Sequence, residues 1–378
     1  MHILYTNFHP GYGGGHTTYL ASLIRGLRER HRLSLAAPAG GRLNRLAREI
    51  GIEVIDFDFP GGFRPEAIWR SARSLAQLFE RDCVDLVHVN GSRDHWIVVW
   101  ASLSCKGRRP AIVWTKHNSM AIKRDPANWL RARYFTDQAI AVSQSVGRQI
   151  EASPYGGHGV TTIRHGIDIG HFAPSAGRET RSSLRAKWGA AEDVLVIGSV
   201  AGTAQYKSWV TMAEALALLS EVERQRLLVV VAGEPPYHQH KAAVAALGVG
   251  ERMVFPGLAA DVRPIVAAFD VGFVLSRAIE TLSYACREMM AMGKPVLVSD
   301  FGGLRENLEE GHDGWIVPAG DAPAVADWLR QLLSGAFDLS KMGAAARRHA
   351  EAAFSLAIFL EETAAVYERV LRARPSGR

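Results

Sequence analysis

Residues 271–299 read VGFVLSRAIETLSYACREMMAMGKPVLVS. The apolar run 271–275 has the length of a buried strand, a helical pattern opens near Thr281, and a second apolar run follows at 295–298. Two short apolar runs joined by a helix imply a parallel βαβ unit, because parallel strands need a crossover and are covered on both faces. The same alternation extends outward. Strands are expected at 195–200, 227–232, 253–256 and 314–317, with helices at 209–219, 238–247, 262–268, 322–333, 341–354 and 356–373. Toward the N-terminus the rhythm breaks at 163–174, which reads as a connector, and then resumes. Strands are expected at 3–6, 33–37, 53–56, 86–90, 111–116 and 138–143, a glycine-rich turn at 11–15, and helices at 17–30, 43–50 and 65–80. The expected fold class is α/β: two doubly wound Rossmann-like domains facing a central cleft. The domains are placed at 1–168 and 169–355, with a helix at 356–378 crossing back to the first.

Composition agrees with a globular chain of two domains: 378 residues, 48% hydrophobic and 22% charged. The net charge of +6 favours anionic partners without choosing among them. Cys83, Cys105 and Cys286 are too few and too scattered for a disulfide framework or a metal site, which fits a reducing cytoplasm. Residues 1–6 read as a first buried strand rather than a signal peptide, and no apolar run reaches the ~18 residues of a membrane span.

The chemistry-bearing residues gather after the 271–275 strand. Unpaired N–H groups and a partial positive charge at a helix start suit a diphosphate, so the backbone of Thr281, Leu282 and Ser283 is a candidate cradle. Glu288, further into the helix, is placed to accept hydrogen bonds from ribose hydroxyls, and Glu280, at the turn, from sugar hydroxyls. On spacing alone, Glu280 also reads as an ordinary acidic residue near a helix start and Glu288 as a solvated one.

The order of motifs adds to this. Glu280 and Glu288, then Met289-Met290-Ala291-Met292-Gly293-Lys294-Pro295-Val296, Ser299-Asp300-Phe301-Gly302-Gly303 and Gly311-His312-Asp313-Gly314, closely resemble the family-4 glycosyltransferases of the GT-B fold. Gly13-Gly14-Gly15, Val142-Ser143-Gln144-Ser145 and His165-Gly166-Ile167-Asp168 continue the likeness along the chain. The resemblance implies that Glu280 contacts the donor sugar, that Glu288 holds the ribose, and that Lys207 grips the diphosphate. The family's partner arginine is absent near Lys207, and Arg277 or Arg287 is the available replacement. Thr281-Leu282-Ser283 stands where the family often has a Gly-Phe-Gly-like run. Gly233 and Leu258 fall where the family encloses base and ribose.

In the first domain the resemblance places His117 near the anomeric centre, as a group that polarises the sugar or orients the acceptor. Gly14 and Gly15 allow close backbone approach to a phosphate or sugar, and His16 and Asn118 are acceptor-side candidates. The segment 122–135 (IKRDPANWLRARYF) mixes four cationic residues with aromatics, a pattern suited to an anionic membrane surface; core packing with a solvated basic face explains it equally well. The implied activity is retaining transfer of a sugar from a nucleotide-diphosphate sugar to a glycan or lipid-linked acceptor, in lipopolysaccharide or other cell-envelope polysaccharide synthesis. No cofactor, metal or nucleic acid is expected, and the location is cytoplasmic or peripheral on the inner membrane face. A nucleotide-sugar epimerase, a phosphorylase and a non-catalytic nucleotide-sugar-binding subunit are the alternative readings.

Overall fold

The computed structural model describes residues 1–9, 14–62 and 64–374. Residues 11–13 of the expected glycine turn, Gly13 of the family motif among them, and the last four residues lie outside the described set. The chain divides into two compact units, Met1–His165 with Leu356–Arg378, and Gly166–Ser355. The first division falls after His165 rather than after Asp168.

The first unit carries seven parallel strands: β1 (His2–Thr6), β2 (Arg32–Ala37), β3 (Glu53–Asp56), β4 (Leu86–Val89), β5 (Ala111–Lys116), β6 (Gln138–Ala141) and β7 (Val160–Thr162). Their order is β3-β2-β1-β4-β5-β6-β7. Successive residues of a strand point to opposite faces, and β1 shows it. Ile3 and Tyr5 enter one apolar cluster with Leu20, Leu23 and Ile24 of helix Gly15–Leu27 and with Phe359 and Tyr367 of helix Leu356–Ala373. Leu4 enters another, with Leu75 and Phe79 of helix Pro65–Arg81 and Ile97 and Val98 of helix Ser92–Ser104.

The second unit repeats the plan with β8 (Leu195–Ser199), β9 (Leu227–Val231), β10 (Met253–Val254), β11 (Val271–Val274), β12 (Val296–Ser299) and β13 (Gly314–Val317), in the order β10-β9-β8-β11-β12-β13. Val229 and Val231 pack with Trp209 and Met212, whereas Leu228 and Val230 pack with Met289 and Met290.

The helix expected near Thr281 begins at Tyr284, because the Ser283 side chain accepts the Cys286 N–H and sets the N-cap there. The basic segment 122–135 is helical only over Pro126–Phe135, where Asp125 caps the first turn by accepting from Asn128 N. No described helix is long and apolar enough to cross a membrane.

Candidate functional site

In a doubly wound sheet, ligands collect beyond the carboxyl ends of the strands where the order reverses. In the second unit that point lies between β8 and β11. Lys207 follows β8 on a short 3-10 turn and Glu280 follows β11. The structure brings them together: Lys207 Nζ lies 2.7 Å from Glu280 Oε2, with both side chains largely buried. Ser276 Oγ donates to the same oxygen at 2.9 Å, and Ser299 Oγ at the end of β12 donates to the Ser276 carbonyl. Gly302, at φ +61, has room for no side chain, since a Cβ there would strike the Glu280 carbonyl oxygen. The loops after β11 and β12 therefore clamp Glu280 from two sides. The residues assigned to diphosphate and to sugar thus form an ion pair with each other.

The neighbouring loops close on the same edge. Thr203 Oγ1 donates to the Glu234 carbonyl at 2.6 Å, and Trp209 Nε1 to the Thr203 carbonyl at 3.0 Å. Gly233 N–H donates to Gly257 O at 3.1 Å. A Cβ on Gly233 would come within 2.7 Å of Gly202 Cα, so only glycine allows these loops to touch. Leu258, beside Gly257, is 72% exposed. Leu282 and Ser283 are buried and precede the helix that carries Glu288. Among the described residues the Glu288 carboxylate has no hydrogen-bond or ion-pair partner, and burial raises its pKa to about 7.

Arg287 does not replace the missing phosphate-binding arginine. It is fully buried, donates from Nε to Asn307 Oδ1 at 2.8 Å, and lies over the Phe354 ring. Arg277 is exposed, and its backbone N–H donates to the Tyr206 carbonyl beside Lys207.

In the first unit the sheet reverses between β1 and β4. Gly14, at φ +110, is the N-cap of the helix that Gly15 and His16 open. His117 follows β5. Its Nε2 hydrogen-bonds Asn90 Oδ1 at 3.0 Å, its ring centroid is 4.2 Å from that of His16, and Tyr19 meets it edge-on at 4.6 Å. Burial, then the neighbouring His16, holds the His117 pKa well below the usual imidazole value, and burial brings His16 to about 4. Both rings are neutral at pH 7, so each can accept or donate a proton in a hydrogen bond without carrying charge. Asn118 turns its side-chain oxygen to Lys116 Nζ at 2.9 Å. Behind His117, the β5 residue Thr115 hydrogen-bonds His88 Nε2 at 2.7 Å, and His88 Nδ1 meets Tyr367 OH at 2.5 Å on helix Leu356–Ala373. Sequence reasoning gave no sign of this brace, which joins residues 279 apart in the chain.

Residues 13–171 match the family model described as Glycosyltransferase Family 4, and residues 191–335 match the one described as Glycosyl transferases group 1. The chain is 24% identical over 313 residues to N-acetyl-alpha-D-glucosaminyl L-malate synthase of Bacillus anthracis, an alignment covering 81% of this chain and 80% of that protein. It is 34% identical over 150 residues to the lipopolysaccharide core biosynthesis glycosyltransferase LpsE of Rhizobium meliloti, covering 40% of this chain and 43% of that one. Among solved structures, Anabaena HepE in complex with UDP superposes with a TM-score of 0.81 at 20% identity, covering 98% of this chain and all of that one (100%). With paired α/β units and tandem family matches, the chain belongs to the family-4 glycosyltransferases and is a GT-B glycosyltransferase.

Proposed function

We propose that the enzyme moves a glycosyl group from a UDP-sugar to a hydroxyl of a glycan or lipid-linked acceptor, with retention of configuration, in the assembly of a cell-envelope polysaccharide. The observation that carries this reading is the Lys207–Glu280 pair at the β8/β11 reversal. There a cation and a sugar-binding carboxylate stand together beyond the strand ends. The UDP in the HepE structure supports the choice of base, and LpsE supports the choice of pathway class.

In the proposed reaction the bond between the anomeric carbon and the diphosphate oxygen breaks, and a bond from that carbon to the acceptor oxygen forms. The leaving diphosphate takes the electron pair, and the acceptor's hydroxyl proton passes to a phosphate oxygen. Lys207, with the backbone of Thr281, Leu282 and Ser283, stabilises the charge that develops on the leaving group. Glu280 orients the sugar hydroxyls and Glu288 the ribose, while Gly233 and Leu258 bound the base side. On the first unit, Gly14 and Gly15 permit close approach, and His117, with His16 and Asn118, orients the acceptor as a neutral donor or acceptor of hydrogen bonds. No metal or cofactor takes part in this proposal. The exposed Trp129, Leu130 and Tyr134 beside Arg133 support peripheral contact with an anionic membrane face.

The test is ligand-induced stabilisation by UDP, GDP and ADP, followed by transfer assays. UDP is expected to raise the melting temperature most. Glu288→Ala should weaken UDP binding by about 10–100-fold, and His117→Ala should lower kcat by a similar factor while leaving UDP affinity unchanged. Absence of stabilisation by any nucleotide, or full activity in both variants, would remove the reading.

A further inference from the structure

The first unit contains a cavity of about 450 Å³ whose lining includes His117, Asn90, Trp96, Trp114, Lys116 and Arg131. That volume lies within the range that holds a small ligand, about 300–1,000 Å³. Its charges are one-sided. Among the described residues, Lys116, Lys123 and Arg131 line it together with three histidines, and no aspartate or glutamate does.

Arg131 is the unusual member. It comes from helix Pro126–Phe135, yet its side chain turns inward and is only 3% exposed. Nε donates to Tyr155 OH at 2.6 Å and Nη2 to Asn128 Oδ1 at 2.7 Å. The guanidinium lies 4.5 Å from the Trp96 ring centroid. Both hydrogen-bond partners are neutral. The nearest carboxylate in this chain of contacts, Asp125, is engaged by Asn128 N and Nδ2 at 2.7 and 3.0 Å. Among the described residues Nη1 is buried without a partner, and so is the Nε1 of Trp114 in the same lining. Lys116 Nζ is likewise held by uncharged oxygens, those of Asn118 and Met120, at 2.6–2.9 Å. A buried guanidinium with a free N–H, no counter-charge and a second unsatisfied donor beside it is costly unless something supplies the missing acceptors. A carboxylate or phosphate does so, and the planar fork of arginine fits either.

We infer that this cavity binds an anionic group, a phosphate monoester or a carboxylate, carried by the acceptor, with Arg131 as its specificity determinant. The aromatic rings of Trp96 and Trp114 supply the apolar part of the subsite, and His117 in the same wall meets the hydroxyl. Lys123, exposed at the rim, adds attraction. The acceptor role rests on the transferase reading above; the anion site itself does not.

The test uses the full chain. Methyl phosphate, succinate and the uncharged methyl α-D-glucopyranoside are titrated calorimetrically against the native protein and against Arg131→Lys, Lys123→Ala and Lys207→Gln, with UDP titrated in parallel. At least one anion is expected to bind at least about 10-fold more tightly than the glucoside. Methyl phosphate as the tighter ligand indicates a phosphorylated acceptor, and succinate a carboxylated one. Arg131→Lys should weaken that anion by about 10-fold or more and Lys123→Ala by about 3-fold, with Lys207→Gln unchanged. Equal affinity for the glucoside overturns the inference. So does anion binding indifferent to both Arg131→Lys and Lys123→Ala, or lost in Lys207→Gln instead. If Arg131→Lys does not fold by circular dichroism, the charge reversal Lys123→Glu takes its place and must weaken the anion more than Lys123→Ala does. Failure to bind UDP with anion binding intact removes the donor reading alone.

Discussion

At Glu288 burial works against ionisation, and the consequence can be measured. The carboxyl titrates at about 7 in the folded chain, against an unperturbed value of 4.5. Below the unfolded value both states are protonated and nothing is lost. As pH rises from there through 7 the unfolded chain sheds its proton first, so the folded state loses stability across that window. Glu288→Gln should therefore stabilise the fold at pH 8 by an increment on the order of 3 kcal/mol, read as a higher melting temperature, and have little effect at pH 4. The same substitution should weaken UDP binding, a trade of stability against function. Lys207 shows the opposite logic. Removing it as Lys207→Ala leaves the buried Glu280 carboxylate without its cation, which costs about 3–5 kcal/mol for a pair of this kind. Restoring neutrality with Glu280→Gln in the same chain should recover much of that loss. If Lys207→Ala melts like the native protein, the two side chains are not paired in solution.

The elements differ in how openly the sequence announced them. The strand–helix–strand of residues 271–299 was legible because each strand is a continuous apolar run, a pattern that only burial on both faces sustains. The start of its helix was not, because the cap is Ser283 rather than the turn residue Thr281. Ser283→Ala should cost about 1 kcal/mol and shift the denaturation midpoint without changing its slope. Helix Ser92–Ser104 buries residues around most of its circumference, from Asp94 and His95 to Val98 and Ala101, so no apolar stripe marks it. The three-residue strand β7 is too short to show a period. The glutamates and Lys207 were readable as motifs. Their pairing across 73 residues was not, since only the sheet order places their loops side by side. The inward turn of Arg131 was equally hidden, because a basic helix with aromatics reads as a surface until one cation is seen inside.

For the molecule as a whole, the two units share one plan but differ in continuity. The second is a single uninterrupted stretch, whereas the first is completed by helix Leu356–Ala373. That helix contributes Phe359, Val366, Tyr367 and Val370 to the first unit's core. At about 1.5–3 kcal/mol for each large buried apolar side chain, they account for a stabilisation comparable to the net stability of a whole domain. Tyr367 also braces His88 behind the His117 strand. A chain ending at Ser355 should therefore keep a protease-resistant second unit and yield a first unit that is digested rapidly; equal resistance of both would contradict this assignment. Tyr367→Phe, which retains the ring and removes the hydroxyl from His88, should cost only about 1–2 kcal/mol.

The late position of that helix has a consequence for biosynthesis. A ribosome releases the seven-stranded sheet early, then makes the entire intervening unit before the missing layer arrives. At about 5–20 residues per second this interval lasts roughly 10–40 s. Throughout that time the nascent polypeptide holds an uncovered greasy face next to a neighbour that is already folding. Chaperone demand during translation should accordingly stay high while residues 166–355 are made and fall only once helix Leu356–Ala373 emerges.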